Sequence, residues 1–177
     1  MIETERLILR AWRDADREPY AAMMADPAVA TWLAGPFDRA ESDARIDRSN
    51  AAIAEHGYGR FALERRGDGR LIGYCGLMPI HPDLPFEGGY EVGWALAQEA
   101  WGEGYTTEAA RAVFDDGFTR LGLPEILAFT GTTNLRSQAV MTRLGMTRAP
   151  EQDFDHPNLA AGHPLKRHVV FVARRPL

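Results

Sequence analysis

One segment constrains the fold more than any other: residues 90–107, with the sequence YEVGWALAQEAWGEGYTT, predict a strand, a glycine-spaced turn and a helix start. Gly102 and Gly104 allow a tight turn, and the first free amides of the helix lie at the positive end of its dipole. Such a turn can hold an anion, most often a phosphate. The alternative is that the two glycines serve only the backbone, because a tight turn needs residues with positive φ, and that the turn binds no ligand. No Gly-Lys-Ser or Gly-Lys-Thr follows, so this is not a Walker loop.

Composition limits what surrounds this segment. The 177 residues with 45% hydrophobic content predict a single domain over residues 1–177. A net charge of -5 argues against a basic face that binds nucleic acid. The single cysteine, Cys75, excludes an internal disulfide framework and a multi-cysteine zinc site. The single cysteine also makes a reducing cytoplasm the expected compartment. No apolar run is long enough to span a membrane, so we expect no membrane partner.

Hydrophobic periodicity predicts an α/β (α+β) fold with a mixed, largely antiparallel twisted sheet of about seven strands, flanked by helices on both faces. Asp14 is predicted as the N-cap of the first helix, and Asp38 with Glu41 resembles a capping box. The predicted strands are 4–12, 58–65, 71–80, 90–97, 125–132, 146–154 and 166–174, and the predicted helices are 14–25, 27–32, 38–56, 106–121 and 135–144.

A second group of polar residues lies in TTNLRSQAVMTRLGM, residues 132–146. Asn134 is placed as the N-cap or first residue of a helix, and Ser137 follows three positions later. One interpretation is ordinary capping by Asn134, with Ser137 as a common helix-start residue. The other is a pair of functional side chains at the start of the helix.

These segments together resemble the GCN5-related N-acetyltransferase (GNAT) superfamily, in particular the branch of the RimJ and RimL ribosomal-protein acetyltransferases. Residues 4–10, TERLILR, are similar to the opening strand of that branch, and residues 91–94, EVGW, to its central strand. Residues 101–109, WGEGYTTEA, resemble its acetyl-CoA pyrophosphate turn. Residues 134–146 match its last helix. The resemblance covers nearly the whole chain.

The resemblance implies acetyl-CoA as co-substrate, no metal, and a gap between the strands 90–97 and 125–132 that takes the cofactor. Its pyrophosphate would lie on the amides of residues 102–107, and its pantetheine along the backbone near Trp94 and Leu96. Arg136 or Arg143 would reach the outer phosphate. The cofactor-binding residues implied are Trp94, Leu96, Trp101, Gly102, Glu103, Gly104, Tyr105, Thr106, Thr107, Asn134 and Arg136.

Two departures from the superfamily pattern affect the chemistry. Glu99 stands where many members have Gln or Arg, so the backbone amides must do more of the phosphate binding. Met141 stands where many members have the tyrosine that protonates the departing thiolate. Ser137 is therefore the candidate acid, as the RimJ/RimL-like pattern implies.

The attacking amine must lose a proton, so a base or a water relay is needed. Glu91 is the first candidate base, and the alternative for this residue is a purely structural carboxylate. His81 is the second candidate base. Cys75 is predicted to be a buried structural thiol. Ordinary polar contacts are predicted for His156, His163 and His168. The alternative is that their segment shapes the acceptor pocket. Trp32 and Phe37 are predicted to pack in the core, and the alternative is that they line the acceptor pocket.

We therefore predict an N-acetyltransferase that moves the acetyl group of acetyl-CoA directly to a primary amine, either a protein N-terminus or a small molecule. The alternative from another class is a non-catalytic acyl-CoA-binding module. The oligomeric state is open, with a homodimer as one alternative.

Overall fold

A computed structural model describes residues 1–33 and 37–175. Its contacts divide the chain into two compact units that alternate along the sequence. The first unit comprises Met1–Leu77 and Gly93–Val113, and the second comprises Met78–Val92 and Phe114–Leu177. Each unit therefore contains residues from both halves of the chain.

In the first unit the first four strands pair in chain order as antiparallel neighbours. Leu9 of the second strand lies opposite Leu63 of the third, and Phe61 of the third lies opposite Cys75 of the fourth. The strands are β1 (Ile2–Glu3), β2 (Leu7–Arg10), β3 (Arg60–Arg65) and β4 (Leu71–Pro79), of which β4 continues for two residues into the second unit.

Three helices follow β2: α1 (Arg17–Ala25), α2 (Pro27–Ala30) and α3 (Arg39–His56). The predicted cap at Asp38 is confirmed, because its side chain accepts a hydrogen bond from the Glu41 amide at 2.8 Å. The predicted cap at Asp14 is wrong. Residues Asp14–Asp16 form a 3-10 turn instead, and the Asp16 carboxylate accepts from the Arg13 amide at 2.7 Å.

The first unit has a core of its own and a buried ion pair beside it. The Arg10 guanidinium contacts both Asp16 carboxylate oxygens, at 2.6 and 2.9 Å, and Glu64 at 2.6 Å. This network fixes the end of β2 to β3 and to the turn before α1. The core residues are Trp12, Tyr20, Met23, Met24, Val29, Ile46, Ala62 and Tyr74.

The second unit is built on β9 (Arg167–Arg174), which pairs along its length with β6 (Glu125–Gly131) in antiparallel register. Two short strands, β7 (Thr147–Arg148) and β8 (Phe154–Asp155), pair with β9. The strand β5 (Tyr90–Leu96) runs parallel to β6, with Glu91 opposite Leu127, and its last four residues belong to the first unit.

Two further helices follow β5 and β6: α4 (Tyr105–Thr119) and α5 (Leu135–Arg143). The prediction of one strand over 146–154 is wrong in its middle, because Pro150–Gln152 form a 3-10 turn between β7 and β8. Pro150 lacks the amide that a continuing ladder would need. The predicted fold class is confirmed: a mixed α/β protein with a large, mostly antiparallel sheet flanked by helices, with nine strands among the described residues.

Among the described residues, none of the helices combines the length with the apolar surface that a membrane span requires.

Candidate active site

The N-terminus of α4 presents a continuous row of backbone donors that have no acceptor among the described residues. Gly102 and Gly104 have φ values of +85° and +82°, which turn the chain sharply before the helix begins. Within the part of the chain that the structure describes, the amides of residues 102–107 donate no hydrogen bond to a protein acceptor. The first bond of the helix is Glu108 N–H to the Gly104 carbonyl, at 3.1 Å. We call residues 102–107 the amide turn.

Trp101 connects this turn to the end of β5. Its indole Nε1 donates to the Leu96 carbonyl at 2.8 Å, and its ring packs against the core of the first unit. The Leu96 side chain is buried, whereas Trp94 is half-buried. Of the predicted pantetheine contacts on this strand, the Leu96 carbonyl therefore already has a partner within the protein.

The acidic residues around the turn are not equivalent. Glu103 is exposed, and so is Glu99, whose carboxylate lies 3.3 Å from Arg70 Nη2. The Glu108 carboxylate is instead held by the start of the chain. It accepts from Thr4 Oγ1 at 2.6 Å, from the Arg6 amide at 2.8 Å and from Arg6 Nε at 2.7 Å.

The pKa values of this group follow from those contacts. Burial raises the pKa of Glu108, but the hydrogen bonds from Thr4 and Arg6 outweigh it and hold the pKa below its usual range. The hydrogen bond to Glu108 raises the pKa of Arg6. Both groups are therefore charged at neutral pH. Sequence reasoning missed Thr4 and Arg6, because 104 and 102 residues separate them from Glu108.

The N-terminus of α5, in the second unit, is closed by its own side chain. Asn134 Oδ1 accepts from the Ser137 amide at 3.2 Å, and Asn134 Nδ2 donates to Thr130 Oγ1 at 3.0 Å. Asn134 is only 7% exposed. The structure therefore shows the capping arrangement that was one of the two interpretations of Asn134. Ser137 is half-buried, and its hydroxyl has no hydrogen-bond partner among the described residues.

The other polar positions of α5 differ in exposure. Arg136 and Arg143 are exposed, at the first and last turns of the helix. Met141 is buried at 2% exposure, so this position packs inside the protein.

The candidate bases occupy different surroundings in the second unit. Glu91 is half-buried on β5, opposite Leu127 of β6. His81 is exposed, and its Nδ1 accepts from the Asp83 amide at 3.2 Å.

The C-terminal histidines form an aromatic cluster. His168 stacks on Phe154 at a centroid distance of 5.3 Å and lies 5.2 Å from the His156 ring. Burial is the main cause that lowers the pKa of both histidines. Nearby Lys166 and His81 lower the pKa of His156 further. For His168, the contact with the Lys166 carbonyl raises the pKa by less than burial lowers it, and the proximity of His156 lowers it further. His163 lies outside this cluster, with Nδ1 accepting from the Leu165 amide at 3.1 Å. No group of three or more His, Cys, Asp or Glu suited to a metal ion occurs among the described residues.

Two predictions about side chains outside the site are confirmed. Cys75 is fully buried on β4, and burial raises the pKa of its thiol to about 12, so it stays neutral. Phe37 packs against the core of the first unit. Trp32 is half-buried.

The predicted site residues thus fall in two groups. Trp94, Leu96, Trp101 and the amide turn lie in the first unit, while Glu91, Asn134, Arg136 and Ser137 lie in the second. A strand that leads through a glycine-spaced turn into an open helix start can hold an anion such as a phosphate, and this arrangement is typical of proteins that bind phosphate-bearing ligands.

Comparison with known proteins agrees with this class. The family model described as an acetyltransferase (GNAT) domain matches residues 6–147. YnaD of Bacillus subtilis, named an uncharacterised N-acetyltransferase, is 28% identical over 148 residues that cover 83% of this chain and 82% of YnaD. An acetyltransferase from Agrobacterium tumefaciens strain C58 is 29% identical with a TM-score of 0.79, covering 98% of this chain and 93% of that one.

RimL, the ribosomal L7/L12 alpha-N-protein acetyltransferase solved in complex with coenzyme A, shares the fold with a TM-score of 0.76. Its identity is 14%, and the match covers 97% of this chain and 95% of RimL. The chain belongs to the GNAT acetyltransferase family. It is an acyltransferase that uses acetyl-CoA as co-substrate, as the resemblance predicted.

Proposed function

We propose that this enzyme transfers the acetyl group of acetyl-CoA directly to a primary amine, without an acetyl-enzyme intermediate. The observation that carries the proposal is the amide turn. Six consecutive amides lack an acceptor in the described part of the chain, at the positive end of a 15-residue helix. Free amides in a row at the positive end of a helix form a site for anions, so a ligand with several acceptor oxygens is the expected partner.

In this proposal the pyrophosphate of acetyl-CoA lies on the amide turn, from Gly102 to Thr107. The backbone amides bind it, and the exposed Glu103 side chain can turn away from the phosphates. The pantetheine arm follows the backbone of β5 near Trp94 and Leu96, and Arg136 contributes positive charge to a phosphate. An amide of β5 polarises the thioester carbonyl, as donors of an oxyanion hole do.

The chemical step then needs one acid and one base. The amine nitrogen attacks the thioester carbonyl carbon, and the C–S bond breaks as the tetrahedral intermediate collapses. Ser137 hydrogen-bonds to the sulfur through its hydroxyl and relays a proton to the leaving thiolate, while solvent water returns a proton to the serine oxygen. Support for Ser137 is its half-buried hydroxyl, which lacks a partner within the described residues while its amide is held by Asn134.

The proton that the amine loses goes to Glu91 or to a water that Glu91 holds. Asn134 fixes the first turn of α5, which carries Ser137. We also propose that Asn134 hydrogen-bonds to the pantetheine arm. Residues 1–177 act as one catalytic domain in this account.

The acceptor is proposed to be a cationic amine, because a net charge of -5 favours encounter with positively charged molecules. The fold is shared with RimL, an alpha-N-protein acetyltransferase, so a peptide N-terminus is the first acceptor to test. A small-molecule amine is the second.

The test is a thiol-release screen with acetyl-CoA against peptide N-termini and small amines, followed by mass spectrometry of each product. We expect release of one thiol per acetylated amine. Binding of acetyl-CoA with no release above the slow hydrolytic background across the panel would contradict the catalytic proposal and favour a binding module.

A further inference from the structure

The proposed function leaves open how a glycine-flanked turn keeps its amides directed at a ligand. We propose that Arg6 is a positioning residue for the amide turn and that it acts together with Thr4 and Glu108. The proposal rests on the proposed function, because it assumes that the turn binds the pyrophosphate of acetyl-CoA.

Arg6 contacts three residues at the start of α4, although it lies on the chain just before β2. Its Nη1 donates to the Glu103 carbonyl at 2.9 Å, and its Nε donates to Glu108 at 2.7 Å. Its guanidinium carbon lies 4.6 Å from the centre of the Tyr105 ring. A planar guanidinium suits this arrangement, because its donors are fixed in separate directions.

The contact with the Glu103 carbonyl determines the direction of an amide. In a trans peptide the C=O and the next N–H point to opposite sides, so the Gly104 amide must point away from Arg6. Gly104 on one side makes this peptide easier to rotate than a peptide between two larger residues. The Arg6 hydrogen bond therefore fixes the orientation of a peptide that adjoins a glycine.

The contact between Arg6 and Glu108 holds a carboxylate of the first turn of α4 in hydrogen bonds. Both of its oxygens accept hydrogen bonds from residues Thr4 and Arg6. A carboxylate at a helix start can bind free amides in place of a ligand. With its oxygens held by the opening segment, Glu108 leaves the amides of the turn available.

Arg10, the other arginine of the opening segment, shows what a purely structural role looks like. Its side chain is 7% exposed and bound to Asp16 and Glu64, whereas the Arg6 side chain is 42% exposed. The same short segment thus contains one arginine that holds the fold and one that holds the turn.

The test is calorimetric titration of acetyl-CoA into the wild type, Arg6→Met, Arg6→Lys and Glu108→Ala. The matched control is Arg13→Met, because Arg13 is an exposed arginine, 63% accessible, paired with a carboxylate away from the turn. Thermal melting of each variant reports on folding. The 1H–15N signal of Gly104 reports on the orientation of its peptide.

We expect Arg6→Met to weaken acetyl-CoA binding about tenfold, because pre-organisation of the turn is lost, while its melting temperature stays near that of the control. The Gly104 signal should shift or broaden. Arg6→Lys keeps the charge but replaces two separate guanidinium nitrogens by one ammonium nitrogen, so it should not restore full affinity.

Glu108→Ala distinguishes an effect of turn positioning on acetyl-CoA affinity from an effect of charge alone. It removes a negative charge near the phosphates, so an effect of charge alone would tighten binding, whereas loss of positioning weakens it. Tighter binding by Glu108→Ala, full affinity in Arg6→Lys, or an unchanged Gly104 signal in Arg6→Met would overturn this inference. Failure of the wild type to bind acetyl-CoA would instead contradict the proposed function.

Discussion

The N-termini of α4 and α5 differ in how the first backbone amides of each helix are hydrogen-bonded. Before α4 the chain passes through Gly102 and Gly104, and the first amides lack acceptors among the described residues. Before α5 the Asn134 side chain accepts from the Ser137 amide and is itself held by Thr130. One helix start is open to a ligand, and the other is closed by its cap.

The difference follows from side-chain chemistry. Glycine has no side chain that could cap a helix, so a start made of glycines leaves its amides to water or to an anion. Asparagine satisfies the amide and leaves the next polar side chain, the Ser137 hydroxyl, as the group available at that end. We therefore assign binding of the anion to α4 and proton transfer to α5.

The largest effect is expected from Gly102→Val. A β-branched residue does not adopt a φ of +85°, so the turn must change conformation. Loss of two charge-assisted hydrogen bonds at about 2 kcal/mol each corresponds to about a thousandfold weaker acetyl-CoA binding. Calorimetric titration measures it.

Gly122→Ala is the control for this substitution. Gly122 also has a positive φ, +67°, and like Gly102 it has open space around its Cα. The control should strain the backbone but keep acetyl-CoA affinity. Wild-type affinity in Gly102→Val would show that the turn is not the phosphate site.

Ser137→Ala tests the other helix start. We expect kcat to fall about a hundredfold, because a general acid is lost, while the KM for acetyl-CoA changes by less than about twofold. Ser137→Thr keeps a hydroxyl and is the matched control. Steady-state kinetics with the acceptor found in the screen measure both, and an unchanged kcat in Ser137→Ala would remove this residue from the mechanism.

Asn134→Ala opens the closed start. Loss of an N-cap costs about 1 to 2 kcal/mol in the free energy of unfolding, which urea denaturation measures. Because Asn134 also holds the Ser137 amide, kcat should fall as well, and loss of the proposed contact to pantetheine should weaken acetyl-CoA binding. Unchanged stability would contradict the capping role.

The smallest effect is a pH dependence confined to the second unit's histidine cluster. Because burial lowers the pKa of His156 and His168, the unfolded chain takes up protons first as the pH falls below about 6.5. Stability should therefore fall between that pH and the lower folded-state pKa. The Arg6–Glu108 pair stays charged across this range.

Melting temperatures from pH 7.5 to 5.5 should show the decrease, and His168→Phe should reduce it, because Phe fits against Phe154 without titrating. An equal decrease in the variant and the wild type would contradict the assignment to His168.

Sequence reasoning could predict the parts of the molecule that depend on local chemistry. The turn at Gly102 and Gly104, the caps at Asp38 and Asn134, and the buried thiol of Cys75 follow from residue type and spacing. Family resemblance then added acetyl-CoA, because the spacing alone is shared by other anion-binding turns.

Tertiary contacts between distant residues could not be predicted in this way. The Arg6 and Thr4 contacts with Glu108 join residues that are about a hundred positions apart, and nothing in either local pattern indicates them. The error at Asp14 has another cause. The neighbouring Asp16, six positions after Arg10, is buried in an ion pair with that residue, and local capping preference does not indicate this pairing.

The central claim is that backbone amides of residues 102–107 bind the pyrophosphate. The most direct measurement is a 1H–15N NMR titration of the protein with CoA and, separately, with pantetheine, which lacks the pyrophosphate. We predict large downfield amide shifts at Gly102–Thr107 with CoA and none of comparable size with pantetheine. CoA saturation that leaves these amides unshifted would contradict the claim.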